Sequence, residues 1–219
     1  MVEIYDPKEQ DEVVKKWLKE NGSAIVMGLV IAFGGLFGFK QWQIWQTSSK
    51  QQASAEFEVM SDLLTDGQLD AAMSNFQTLK DDYGKSTYAS LAALKMARAR
   101  MEAQQPDLAV GLYRFVVDNG YPKALSVVAR ERLARVLLDQ GQPDEALSLL
   151  NEAPDASGFE SRFAEVKGDI YFSQGKNDEA IAAYLEALDS LEAGVGDRNL
   201  LVLKLESLGA DIPDDGGQS

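Results

Sequence analysis

Apolar positions follow two patterns along this chain. Positions 22–39 form a run of eighteen uncharged, mostly apolar residues, while on both sides apolar residues recur at helical spacing among charged ones. Ahead of the run, Asp6-Pro7-Lys8-Glu9 combines an acidic cap, a proline at the first helical position and a glutamate three residues on, a pattern that opens helices. Val13, Val14, Trp17 and Leu18 then share one face, which predicts a short amphipathic helix leading into the run. Far beyond it, Leu133, Ala134, Leu137 and Leu138 lie on one helical face, and Ala146, Leu147, Leu149, Leu150 and Ala153 on another.

At about 1.5 Å per residue the run reaches roughly 27 Å, close to the hydrocarbon thickness of a bilayer. A core helix, a cleaved export signal and a permanent span compete for it. Ala53-Ser54-Ala55 has the small-x-small form of a cleavage site but lies some fourteen residues past the run. The twenty residues ahead carry six acids, Glu3, Asp6, Glu9, Asp11, Glu12 and Glu20, where a signal peptide is short and basic. Trp17 stands on one side and Trp42 and Trp45 on the other, as in an interfacial aromatic belt. These features favour an uncleaved span in a lipid bilayer. Lys8, Lys15, Lys16 and Lys19 precede it and only Lys40 and Lys50 follow closely, which predicts a cytoplasmic N-terminus and an exported C-terminal part. Ala24, Gly28 and Ala32, with Gly34 and Gly38, form a small-residue stripe on which another membrane helix could pack.

The exported part repeats. The segments 67–72 (GQLDAA), 104–109 (QQPDLA), 141–146 (GQPDEA) and 175–180 (GKNDEA) place their aspartates 37, 37 and 34 residues apart, the period of helix-pair repeats. Each reads as a turn ending one helix, an Asp in the first turn of the next where the helix dipole favours negative charge, and a small Ala where helices touch.

Composition narrows the chemistry. The net charge of −14 repels phosphate backbones and argues against nucleic acid as a partner. With no Cys and no His, the thiolate nucleophile and the usual zinc ligands are missing, and no catalytic, cofactor or metal site is assigned. A two-carboxylate hydrolase has the acids it needs but no accompanying pocket motif. Residues 86–139 hold eight Lys and Arg against five acids, a net of +3, whereas 140–219 hold five against seventeen, a net of −12.

The repeats resemble the tetratricopeptide family. Gly168, Tyr171, Gly175, Ala180, Tyr184 and Ala187 fall on signature positions of that motif in the fourth copy, and Leu133, Ala134, Gly141, Ala146 and Ala153 in the third. The second matches at Ala97, Ala109 and Tyr113 but has Gln104 at the turn; the first keeps Gly67, Ala72 and Phe76, with Met60 where a small residue is usual. Together with the predicted single transmembrane helix, the resemblance implies an all-α fold: a helical-repeat solenoid of about four pairs, at 50–83, 87–120, 124–157 and 158–191, and a capping helix at 199–209. It also implies a concave groove lined by Phe57, Leu64, Leu91, Leu94, Arg98, Met101, Val128, Arg135, Leu138, Arg162 and Phe172, suited to a peptide. Arg98 and Arg135 could meet a partner's carboxylates, or pair within the repeats with Glu102, Glu131 or Asp139.

The order of parts resembles the YfgM family of bacterial inner-membrane proteins. The carriers are Val2-Glu3-Ile4-Tyr5, Glu20-Asn21-Gly22 before the run, and Gly38 with Gln41-Trp42 after it. The resemblance implies a cytoplasmic lead at 1–20, a span at 21–46, a periplasmic repeat domain at 47–209 and a flexible tail at 210–219. It implies contact with the SecYEG translocon and the periplasmic chaperone PpiD, a role in handing over newly exported client proteins, and no enzymatic activity. A tethered scaffold for cell-wall synthesis, division or stress signalling is the competing expectation.

Overall fold

The computed structural model describes residues 7–153, 158–191 and 196–211, without the side chains of residues 7–10, Val13 and Ile25. The motif at residues 2–5, the Asp6 cap and the tail from 212 onward lie outside the described residues.

Nine helices and no strand occur among the described residues: α1 (Pro7–Thr65), α2 (Leu69–Tyr83), α3 (Thr87–Glu102), α4 (Pro106–Asn119), α5 (Lys123–Asp139), α6 (Pro143–Asn151), α7 (Glu160–Ser173), α8 (Asn177–Asp189) and α9 (Arg198–Ser207). The chain divides into two compact units at Gln52 and Ala53.

Residues 7–52 of α1 make the first unit. No proline interrupts the chain between 8 and 65, and the helix runs through the apolar stretch. Its large apolar side chains, including Val26, Ile31, Phe33, Leu36, Phe37 and Trp45, are each more than half exposed, so the protein itself leaves this surface open. Among the described residues no single helix is long and apolar enough to cross a membrane; Val14–Ala24 and Val26–Thr65, bent by 44°, meet that criterion together.

From residue 53 onward the chain folds as stacked helix pairs, beginning with the last part of α1. Helix α2 packs on α3, α3 on α4, α4 on α5 and so on to α9, while α3 meets α5 and α5 meets α7 across the repeats. The repeat alanines Ala72, Ala109, Ala146 and Ala180 are fully buried. Any larger side chain there would hold the helices apart. Met60, at a position that is usually small, is fully buried too, in a core running from Ala53 to Ile170. A second cluster of Ala164, Ala180, Tyr184, Ala187, Leu201 and Leu205 seats α9 over the last pair.

The turns explain the sequence repeat. Gly67, Gly141 and Gly175 take φ of 74°, 73° and 72°. The next amide in each case returns to the carbonyl five residues earlier, from Gln68 to Leu63, Gln142 to Leu137 and Lys176 to Tyr171, satisfying the helix end. Gln104 does the same work at φ 58° with a side chain that disfavours it. Gln104→Gly is therefore expected to raise stability by roughly 0.5 kcal/mol, and Gly141→Ala to lower it by about 1 kcal/mol, in chemical denaturation of the full chain.

Candidate partner-binding face

The first helices of the pairs are the 53–65 segment of α1, then α3, α5 and α7. The repeat spacing puts Leu64, Met101, Leu138 and Phe172 at one shared position, and all four are apolar. Leu64, Met101 and Leu138 are half-buried against the core, whereas Phe172 is 53% exposed. Leu91 and Val128 share another position and are half-buried; Arg162, which follows them in register, is exposed. Phe57 is half-buried, its ring tilted against Tyr88 with centroids 5.9 Å apart and the Lys95 ammonium 5.9 Å from its centre. Leu94, in register with Phe57, is buried in the core at 7% exposure.

Arg98 and Arg135 occupy the same repeat position in different surroundings. Arg98 donates to Glu102 at 2.8 Å, one turn on, and its side chain is 75% exposed. That bond holds its charge more firmly than usual. Arg135 donates to Glu131 at 2.6 Å and also reaches Glu165 at 3.4 Å and Asp169 at 3.5 Å. Burial opposes the Arg135 charge, but Glu131, Glu165 and Asp169 outweigh it and the guanidinium is held protonated. From α9, Lys204 donates to Glu165 and Asp169, both at 2.7 Å, and lies 5.3 Å over the Tyr184 ring. Tyr184 donates its phenol proton to Asp169 at 2.7 Å. Burial first, and this bond second, push the phenol well above its ordinary range. The network joins α5, α7, α8 and α9. It turns α7's acids inward onto cations of this same chain.

Sequence reasoning assigned the repeat aspartates to helix dipoles alone. In the structure they also tie successive repeats together: Gln140 donates to Asp107 at 2.7 Å, Gln174 to Asp144 at 2.8 Å, and Arg100 to Asp70 at 3.4 Å. Gln140 and Gln174 each stand immediately before a turn glycine, so the pairing was visible as a recurring Gln-Gly. The buried Arg100 also donates to Gln105 at 2.7 Å and borders a cleft of about 490 Å³ at the start of α2. Arg114 and Glu145 form another pair between repeats. In the apolar run, Ala24 and Ala32 are exposed, and space beside Gly28, Gly34 and Gly38 is open.

This architecture defines a class: a scaffold of stacked helical repeats. The family model of a tetratricopeptide repeat-like domain matches residues 15–210. The "Ancillary SecYEG translocon subunit" of Neisseria gonorrhoeae is 31% identical over 92% of this chain and 97% of its own. A protein of the same name from Aggregatibacter actinomycetemcomitans is 31% identical over 93% and 99%, and one from Escherichia coli 27% over 89% and 90%. Among solved structures, a crystal structure of nearly identical TPR-like repeats from a putative kinesin light chain of Podosopora anserina has a TM-score of 0.51 at 18% identity, covering 73% of this chain and 85% of that one. That likeness shows the fold. The chain belongs to the YfgM family, whose relatives carry the translocon-subunit name along nearly their whole length.

Proposed function

We propose that this chain is an ancillary subunit of the SecYEG translocon, held in the bacterial inner membrane by residues 21–46 with its N-terminus in the cytoplasm and its repeats, 47–209, in the periplasm. There it binds protein partners, among them the chaperone PpiD, and assists the handover and folding of newly exported proteins. The observation that supports this reading is the full-length likeness to proteins named as ancillary SecYEG translocon subunits, 97% of the Neisseria relative included. The apolar surface of residues 26–45, left open by the protein, supports a lipid environment, because such a surface in water would be strongly unfavourable. The half-buried Leu64, Met101 and Leu138 and the exposed Phe172, together with Arg98 and Arg135, form the proposed partner face; Ala24, Gly28, Ala32, Gly34 and Gly38 form a proposed helix-packing face in the membrane.

Protease added to spheroplasts tests the topology. The repeats are expected to be digested from outside while an N-terminal tag stays protected until the membrane is opened. Digestion of residues after Lys50 only from the cytoplasmic side would reverse the orientation and remove the periplasmic role.

A further inference from the structure

Four residues before each turn the repeats bury hydrocarbon, with one departure. Leu63, Leu137 and Tyr171 hold that position, and Leu205 holds it before Gly209, but in the second copy it is Arg100. The Arg100 side chain is only 7% exposed, so a cation stands where its counterparts are apolar. Its compensation is thin. Nη1 donates to Gln105 at 2.7 Å and Nη2 to Asp70 at 3.4 Å, while the buried Nε–H meets no acceptor among the described residues. Asp70 is itself fully exposed. Its counterparts Asp107 and Asp144 are held at 2.7 and 2.8 Å by Gln140 and Gln174, whereas Ala103 occupies that glutamine position here. A buried guanidinium with an idle donor is uncommon, because such charges are costly unless fully bonded. The guanidinium lines the cleft of about 490 Å³, whose other walls are residues 67–71 and Gln105. Residues 69–71 open the fifteen-residue helix α2, which Gln68 leaves without a side-chain cap, so the cleft also faces backbone amides at the positive end of the helix dipole.

We infer that Arg100 and the first turn of α2 form a binding site for a phosphate group, in which Asp70 is a displaceable occupant. The phosphate oxygens accept from the guanidinium on one side and from the amides of the helix start on the other, the two donor sets that recur in phosphate sites. Asp70 yields its place at little cost, because its long bond is made from a fully exposed side chain. A carboxylate is the poorer ligand: with two oxygens in one plane it spans guanidinium and helix end less well than a tetrahedral group with three or more. The net charge of −14 opposes anions at long range, but the site draws Arg100 and Gln105 from residues 86–139, where the net charge is +3. The phosphate can be free in solution or belong to a small headgroup.

The test uses the full chain in detergent and phosphate-free buffer, titrated with inorganic phosphate in a calorimeter. Saturable binding is expected, and Asp70→Asn, which removes the competing carboxylate from an exposed position, should tighten it about fivefold. Arg100→Leu installs the residue its counterparts carry and should weaken binding about tenfold or more, with circular dichroism showing the helices intact. Lys85→Ala removes a cation elsewhere and should change binding less than about twofold. Glycerophosphoglycerol, the soluble headgroup of phosphatidylglycerol, separates the two sources: tighter binding than inorganic phosphate assigns the site to a lipid headgroup, weaker binding to free phosphate, and both uphold the site. No saturation by about 20 mM phosphate, unchanged binding in Arg100→Leu, unchanged or weaker binding in Asp70→Asn, or acetate bound as tightly as phosphate would each overturn the inference.

Discussion

Arg135→Ala is expected to destabilise the full chain by about 2 kcal/mol, while Arg98→Ala, the same substitution one repeat earlier, leaves its denaturation midpoint unchanged. Removing Arg135 strands Glu131, whose side chain is only 8% exposed, without its 2.6 Å partner. Breaking a fully buried pair in this way costs roughly 3–5 kcal/mol. The Arg135 side chain is 39% exposed, so water can relieve part of that loss. Arg98 and Glu102 are both exposed, and a pair of that kind contributes little. Parallel urea titrations decide the matter. Equal effects at the two positions would mean that the α5–α7–α9 network is no more than a surface arrangement.

The second large effect is expected at Gly168. It is buried, and a Cβ built there would overlap the ring of Tyr184. The ring has little freedom to retreat, being bonded to Asp169 and covered by Lys204. Gly168→Ala should therefore cost about 2 kcal/mol, in the usual range for overpacking, and loosen α9 first. Hydrogen exchange that accelerates in α8 and α9 before the earlier helices would confirm this path of transmission. An unchanged melting temperature would show that the ring shifts freely.

The repeats were legible because each depends on few residues. A turn residue at positive φ, an Asp in the first turn and a small Ala recur at near-constant intervals, and Gly141, Asp144 and Ala146 carry them in one short segment. Gln104 could be recognised as the departure, since it takes the left-handed conformation its counterparts assign to glycine. The continuity of α1 was harder to read. Helical lead and apolar run differ in composition, yet no proline divides them, and the backbone stays helical through the 44° bend between Ala24 and Val26. Leu94 shows why face residues are difficult. Helical spacing places it beside Arg98 on the same side of α3, while packing against neighbouring helices removes it from the surface. The pairings of Arg98 with Glu102 and Arg135 with Glu131 were accessible as four-residue spacings. The bonds from α9 to α7 were not, because Lys204 and Glu165 are 39 residues apart and meet only once α9 packs over the last pair.

The central claim is tested most directly by photo-crosslinking in living cells, with the reactive side chain placed at Phe37 in the apolar run and at Leu138 on the proposed partner face. Mass spectrometry of the adducts is expected to recover Sec subunits from Phe37, and a periplasmic chaperone or exported proteins from Leu138. Recovery from both positions of division or cell-wall proteins alone, with no Sec subunit, would contradict the account.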